Sequence, residues 1–194
     1  SGPLAFIVGK DVPASTMREF IALAKQMPGK LNYGSAGAGS VNHLALELMN
    51  ARAGIVVVHV PYRGTGPQLT DLMGGRLDAA AVGAPAVLQF IKAGKLRCIA
   101  TGSAQRLAQL PDVPTVAEQG FPGFEAISWQ AVLAPAKTPA AIIERVSREL
   151  IGIIKSDEVR TRLLGQYFSA AGSRPEALAA LMKSERANWA RVIK

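Results

Sequence analysis

Residues 34–40 read Gly-Ser-Ala-Gly-Ala-Gly-Ser, and a helical pattern starts directly behind them. The first backbone N–H groups of a helix have no intrahelical partner, and the helix dipole makes that end electropositive. Small side chains let a ligand reach those amides, and Ser35 and Ser40 would add hydroxyl donors, so the loop could hold an anion. Three sharper spellings fail. A dinucleotide fingerprint that runs through Gly37 and Gly39 meets Asn42 where its third glycine belongs. A phosphate-binding Walker loop needs a Gly-Lys-Ser/Thr end, and no lysine is present. A nucleophile elbow around Ser35 needs glycine at position 33, which is Tyr33. A tight strand-to-helix turn capped by Ser40 and an anion site both remain open on these residues alone.

Other chemistry-bearing residues are few. His43, Glu47 and Asn50 share a helix face at three- and four-residue steps, a spacing that could hold a metal, but no further histidine lies near in sequence. His59 alternates within the Val-Val-Val-His-Val run and is expected to be satisfied in the structure. Cys98 stands alone, so it makes neither an internal disulfide nor a zinc site, and its strand setting predicts a buried, inert thiol. With two histidines, one cysteine and no spaced carboxylate pair, catalysis is not expected, and neither is a bound metal or cofactor. Two further loops resemble the first in their small residues. Residues 60–69, VPYRGTGPQL, offer Tyr62, Arg63, Gly64 and Thr65, and residues 82–86, VGAPA, offer Gly83 and Ala84. In open α/β sheets such loops gather beyond the carboxyl ends of the strands, where ligands bind.

The elements that would position these loops alternate. Strand patterns at PLAFIV, LNYGSA, IVVVHVPY, RLDAAAV and LRCIATGS are separated by helical ones. Thr16 and Glu19 have capping-box spacing. Pro67 is expected at a first helical position, with Gly74-Gly75 as that helix's stop. This order predicts a largely parallel sheet with helices on both faces, and IVVVHVPY reads as a buried strand within it. After Ser103 the chain is rich in proline and glycine. FEAISWQAVLAPA then reads as a long extended run, and helices follow to the end. Thr138–Pro139, Ser156 and the Ser173/Glu176 capping box are expected to start them. Ile142, Ile143, Val146, Leu150, Ile153 and Ile154 form one apolar face, and Leu178, Leu181, Met182, Trp189 and Val192 another. These helices have no strands of their own to cover, so part of a second lobe is expected to be missing from the chain.

Composition narrows the function classes. The chain has 194 residues, nearly half of them hydrophobic, enough for one or two domains with a real core. Its longest apolar run, about residues 79–91, is shorter than the ~20 residues of a membrane span, and no signal peptide is visible at Ser1. The net charge of +8 is scattered rather than clustered, and aromatic residues are sparse. That argues against a nucleic-acid partner and fits an anionic small molecule.

The stretches KLNYGSAGAGSVNHLALELM, VVHVPYRGTGPQLTDLMGGRLD, IKAGKLRCIATGS, LPDVPTVAEQGFPGFE and SWQAVLAPAKTP together resemble the Bug-type extracytoplasmic solute receptors, the substrate-binding components of tripartite tricarboxylate transporters. The resemblance covers essentially the whole chain. It implies a type II periplasmic-binding-protein-like α/β fold with one largely complete lobe and part of another. Residues 1–8 would be the first crossing strand, 9–123 the ligand-binding lobe, 124–135 the second crossing strand, and 136–194 helices of the other, N-terminally truncated lobe. It also implies a periplasmic protein that captures a small organic anion, typically a carboxylate, and works with membrane transporter subunits. The ligand contacts it implies are Ser35, Ala36, Gly37, Ala38, Gly39, Ser40, Tyr62, Gly64, Thr65, Gly83 and Ala84. Many relatives carry an aspartate in the third loop, suited to a ligand amine. Val82 and Gly83 stand there instead, which favours an anionic or neutral ligand. The effector domain of a transcription regulator is the alternative with a similar fold. Exposed helix faces raise the further expectation that this stretch of chain associates with itself.

Overall fold

The computed structural model describes residues 1–166, 168–190 and 192–193. The chain divides into two compact units, one of residues 3–128 and one of residues 1–2 with 129–194.

The first unit is built on strand β1 (Gly2–Gly9), whose residues are buried almost throughout, as a central strand requires. Around it lie β2 (Asn32–Ser35), β3 (Val58–Pro61), β4 (Ala79–Gly83), β5 (Leu96–Thr101) and the short β6 (Ile127–Ser128). The sheet order is β3-β2-β4-β1-β5, and β6 pairs with β1. β2 runs parallel to β3 and β4. β1 runs antiparallel to both its neighbours, from Leu4↔Gly83 to Val8↔Ala79 on one side and from Ala5↔Thr101 to Gly9↔Leu96 on the other. The expected parallel sheet is therefore broken at its centre. A strand–helix–strand spelling fixes sequence order but not direction. Here the connection through α1 (Met17–Gln26) leaves and re-enters the sheet at the same edge. β3 also departs from expectation. It is an edge strand of four residues, and Val56 and Val58 are exposed, so the apolar run marks one covered face and not burial on both.

Helices cover both faces. Leu4, Phe6 and Val8 share a cluster with Met17, Phe20 and Ile21 of α1 and with Leu46 and Met49 of α2 (Val41–Ala53). Tyr33 of β2 joins the same cluster, and the next residue, Gly34, faces the other way, towards Gln68 of α3 (Thr65–Met73) and Leu77. This is the two-residue alternation of a strand. Helix α4 (Ala84–Lys92) follows β4 without a linker. The Ala-rich β4 keeps the sheet centre thin, with Ala79, Ala80 and Ala81 all buried. α1 has its expected capping box: Thr16 accepts from the Glu19 amide, and the Glu19 carboxylate accepts from the Thr16 amide. α3 starts earlier than Pro67 suggests. Gly64 is its N-cap and Pro67 its third residue.

The second unit holds α5 (Ala140–Lys155), α6 (Asp157–Gly165) and α7 (Pro175–Trp189). The Ser1 ammonium donates to the Ser169 carbonyl at 2.9 Å, and the Ser169 amide donates back to Ser1. Ser156 caps α6 as expected, accepting from Val159 N–H. The Ser173/Glu176 capping box does not form, because Arg174 takes the N-cap position with Pro175 behind it. The expected long strand FEAISWQAVLAPA shrinks to the two residues of β6. The apolar faces of α5 and α7 are not inward here. Ile142 is 52 %, Val146 47 % and Ile153 56 % exposed, and Ile142 and Val146 line an open apolar groove with Val132, Leu133, Leu150 and Met182.

Candidate functional site

Parallel pairing carries the carboxyl ends of β2, β3 and β4 to one edge of the first unit. Ser35 pairs with Pro61, and Gly34 with Ala80 three residues before Gly83. The loop of residues 36–40, the Tyr62–Gly64 turn and the Gly83–Ala84 junction therefore open on the same side. They are tied together as well. The Tyr62 amide donates to Ser35 O at 3.0 Å, and Asn42 Nδ2 donates to Ala81 O at 2.6 Å, which fixes the first turn of α2 against β4.

Gly37 is the pivot of the first loop. Its carbonyl accepts from Ser40 Oγ at 2.7 Å, from the Ser40 amide at 3.2 Å and from Ser35 Oγ at 3.1 Å. Its own amide donates to Ser35 Oγ. Gly37 has φ 136° and Gly39 φ 78°, a region that side-chain-bearing residues rarely occupy. The loop thus takes this shape because of its glycines and closes on itself through its serines. This corrects the expectation for the serine hydroxyls. Ser35 is fully buried, and Ser40 Oγ caps α2 by accepting from the His43 amide, so both hydroxyls are used inside the loop. The Tyr62 hydroxyl is also engaged, donating to Asp71 Oδ2 at 2.8 Å, while Asp71 pairs with Arg76. The Tyr62 bond, followed by that of Arg76, holds the Asp71 carboxyl below its ordinary range.

Other donors remain available. The amides of Ala36, Ala38, Val41 and Asn42 have no hydrogen-bond partner among the described residues; nor do those of Thr65 and Gly66 at the mouth of α3 or of Ala84 and Ala86 at that of α4. Pro67 and Pro85 remove one amide each from the latter two mouths, leaving α2 the best supplied. The Thr65 hydroxyl is likewise without a partner among the described residues, and exposed Arg63 makes no ion pair there. The ground in front is open: a Cβ placed on Gly39, Gly64 or Gly66 would meet no heavy atom within 4 Å. Three helix N-termini with bare amides at one edge form an electropositive, accessible shelf.

Behind the loop lies a cluster that the sequence did not show as one. His43 and His59 stack with ring centroids 3.9 Å apart and planes at 24°, and the Tyr33 ring packs beside both, 5.0 Å from His59 and 6.4 Å from His43. Ser35 Oγ lies 2.7 Å from His59 Nε2, and the Gly39 amide donates to His43 Nδ1 at 3.1 Å. The Tyr33 hydroxyl donates to the Glu47 carboxylate. His43 and Glu47, read from sequence as part of a metal-capable face, are committed to the loop and to Tyr33. The usable signal was the register Tyr33↔His59 together with the four-residue step from His43 to Glu47. Burial, then the neighbouring His43, keeps His59 below the ordinary histidine value, with Glu47 opposing.

The fold is that of periplasmic binding proteins. The family described as tripartite tricarboxylate transporter family receptor matches residues 1–194, and the chain belongs to it. This is a family of substrate-binding receptors and not of enzymes. Among curated relatives, the "UPF0065 protein in tcbD-tcbE intergenic region" of Pseudomonas sp. (strain P51) is 38% identical over 98% of the chain and 57% of the relative. Protein BugT of Bordetella pertussis is 33% identical over 99% and 59%. The chain thus spans under three fifths of the length of these two relatives. Among solved structures, R. palustris Rpa4515 with adipate superposes with a TM-score of 0.91 at 32% identity, over 98% of this chain and 64% of that one. MatC (Rpa3494) from Rhodopseudomonas palustris with bound malate gives 0.87 at 29%, over 100% and 67%. No finding supports self-association of this chain.

Proposed function

We propose that the chain is part of a periplasmic solute receptor that captures a small organic anion at the β2, β3 and β4 edge for delivery to membrane transporter subunits. The observation that carries this reading is the set of bare amides at Ala36, Ala38, Val41 and Asn42, held open by Gly37 and Gly39 at the mouth of α2. A carboxylate there exchanges its hydration shell for fixed N–H donors and a helix dipole, with no bond made or broken. Ala36, Ala38 and Gly39 form the cradle, and Ser35, Gly37 and Ser40 hold its shape. Gly64 and Thr65 contribute from α3, and Gly83 and Ala84 from α4, while Tyr62 braces the second turn. Adipate and malate in the two solved relatives support a carboxylate ligand.

Val82 and Gly83 place no carboxylate in the third loop, so the ligand carries no ammonium group that must be paired there. The second unit, with residues 136–194, belongs to a lobe of which the chain holds only part. Its open apolar groove supports this assignment. Calorimetry on the full-length protein tests the function with a panel of dicarboxylates, monocarboxylates and amino acids. Saturable binding of one or more carboxylates, with amino acids weaker, is the expected result; binding of amino acids alone would refute the anion reading.

A further inference from the structure

Beyond the anion shelf, the stacked imidazoles behind it have geometry that the binding reading does not use. The Gly39 N–H points at His43 Nδ1 at 3.1 Å, so that nitrogen must be unprotonated, and neutral His43 carries its proton on Nε2. Protonated imidazole has two donors and no acceptor. A proton on His43 Nδ1 would therefore face the Gly39 N–H and remove the bond that anchors the outer half of the loop. The inner half is anchored by the same pair: His59 Nε2 lies 2.7 Å from Ser35 Oγ, which in turn bonds both the amide and the carbonyl of Gly37. With the centroids 3.9 Å apart, a charge on one ring opposes a charge on the other.

Groups from every packed element face the pair. From β2 come Tyr33 and Ser35, and from α2 comes Glu47, whose carboxylate already accepts the Tyr33 hydroxyl. Burial of His59 and its proximity to His43 both favour the neutral ring, against the weaker pull of Glu47.

We propose that the stacked His43–His59 pair is the positioning element of the 35–40 loop, and that the Gly39 anchor of its outer half holds only while His43 Nδ1 is unprotonated. A proton on that nitrogen releases the Gly39 anchor and weakens anion capture, which makes capture sensitive to acid. The affinity arm of this proposal rests on the anion-binding reading; the loop arm does not.

The loop arm is tested without ligand, by nitrogen-15 NMR of the full-length protein. At pH 8, His43 should show the Nε2–H tautomer, with a through-bond coupling between the Gly39 amide nitrogen and Nδ1. Coupling and Gly39 shift should be lost together once His43 Nδ1 takes up a proton. An Nδ1–H tautomer at pH 8, or loop shifts that ignore both histidines, overturns the proposal whatever the ligand is.

The affinity arm uses adipate as probe. His43→Phe keeps a stacking ring but removes the acceptor, and should bind about three- to tenfold more weakly than wild type at pH 8, the worth of one hydrogen bond. His43→Asn offers an oxygen to the Gly39 amide without titrating. It should bind more tightly than His43→Phe at every pH, and at pH 5 more tightly than wild type. Comparison at equal pH cancels adipate's own titration. Wild type binding more tightly than His43→Asn at pH 5 would show imidazolium acting as an anion clamp and overturn the positioning role. Absence of any adipate binding, with the NMR result intact, counts against the anion reading and leaves the loop anchor standing.

Discussion

Gly37→Ala probes the loop where its conformation is least replaceable. Space is not the obstacle, since a Cβ there would sit 3.6 Å from the Tyr62 carbonyl, an ordinary contact. The obstacle is φ 136°, a conformation that costs a side-chain-bearing residue about 1–3 kcal/mol. The carbonyl of Gly37 takes three hydrogen bonds and its amide donates a fourth, so the residue cannot rotate away without undoing the loop. Two responses follow. If the loop rearranges, the strain is relieved at the expense of the cradle, and affinity for a dicarboxylate falls about 5- to 150-fold. If the loop holds, the same 1–3 kcal/mol leaves global stability, and the melting temperature falls by several degrees. Calorimetry and thermal melting on the full-length protein read the two shares. Gly152→Ala serves as the control: it lies within α5, where a Cβ meets nothing within 4 Å, and should leave stability equal or slightly raised. A Gly37→Ala protein with affinity within twofold and melting temperature within a degree of wild type would refute the reasoning about this loop.

Thr65→Val removes a hydroxyl that has no internal partner among the described residues, so it should weaken carboxylate binding about tenfold by calorimetry with no change in melting temperature. Gly102→Ala places a Cβ 2.7 Å from the Ala126 carbonyl and 3.0 Å from its Cβ, where Gly102 bonds both Leu4 and Ala126. Urea denaturation should show a loss of about 3 kcal/mol. Burial pushes the Cys98 thiol up to about 12, so a thiol reagent at pH 8 should label the folded protein far more slowly than the urea-unfolded one. His59 is held below its ordinary value, so the unfolded chain takes up that proton more readily. The contribution of His59 to stability is present above about pH 6.5 and lost as pH falls below it; His59→Phe should flatten that component in urea melts between pH 7 and pH 5.

Order and type of the elements were legible because local signals carry them. Thr16 with Glu19 and Ser40 before Val41 mark helix starts, and Gly54 and Gly74 mark stops. Strand direction was not legible. Nothing local in PLAFIV says that it inserts between β4 and β5 against their direction, since that depends on which edges remain unpaired when the other strands have docked. IVVVHVPY misled for a related reason: an apolar run reports what a strand can bury, and β3 has a neighbour only on its β2 side. The glycine loop was visible as a cradle, but the destination of each hydroxyl was not. Ser35 and Ser40 read as ligand donors, yet each finds Gly37 within three residues, and a local partner wins over a distant one. The pairing of His43 with His59 needed the β2–β3 register, which sets His59 beside Tyr33, and the docking of α2, which brings His43 against it.

The central claim is that bare amides at the mouth of α2 hold a carboxylate. A crystal structure of the full-length protein with a bound dicarboxylate tests it most directly. The account predicts one carboxylate within about 2.7–3.2 Å of amides among Ala36, Ala38, Val41 and Asn42, with Gly37 and Gly39 still at positive φ. A ligand bound elsewhere, with those amides left to solvent, would contradict it.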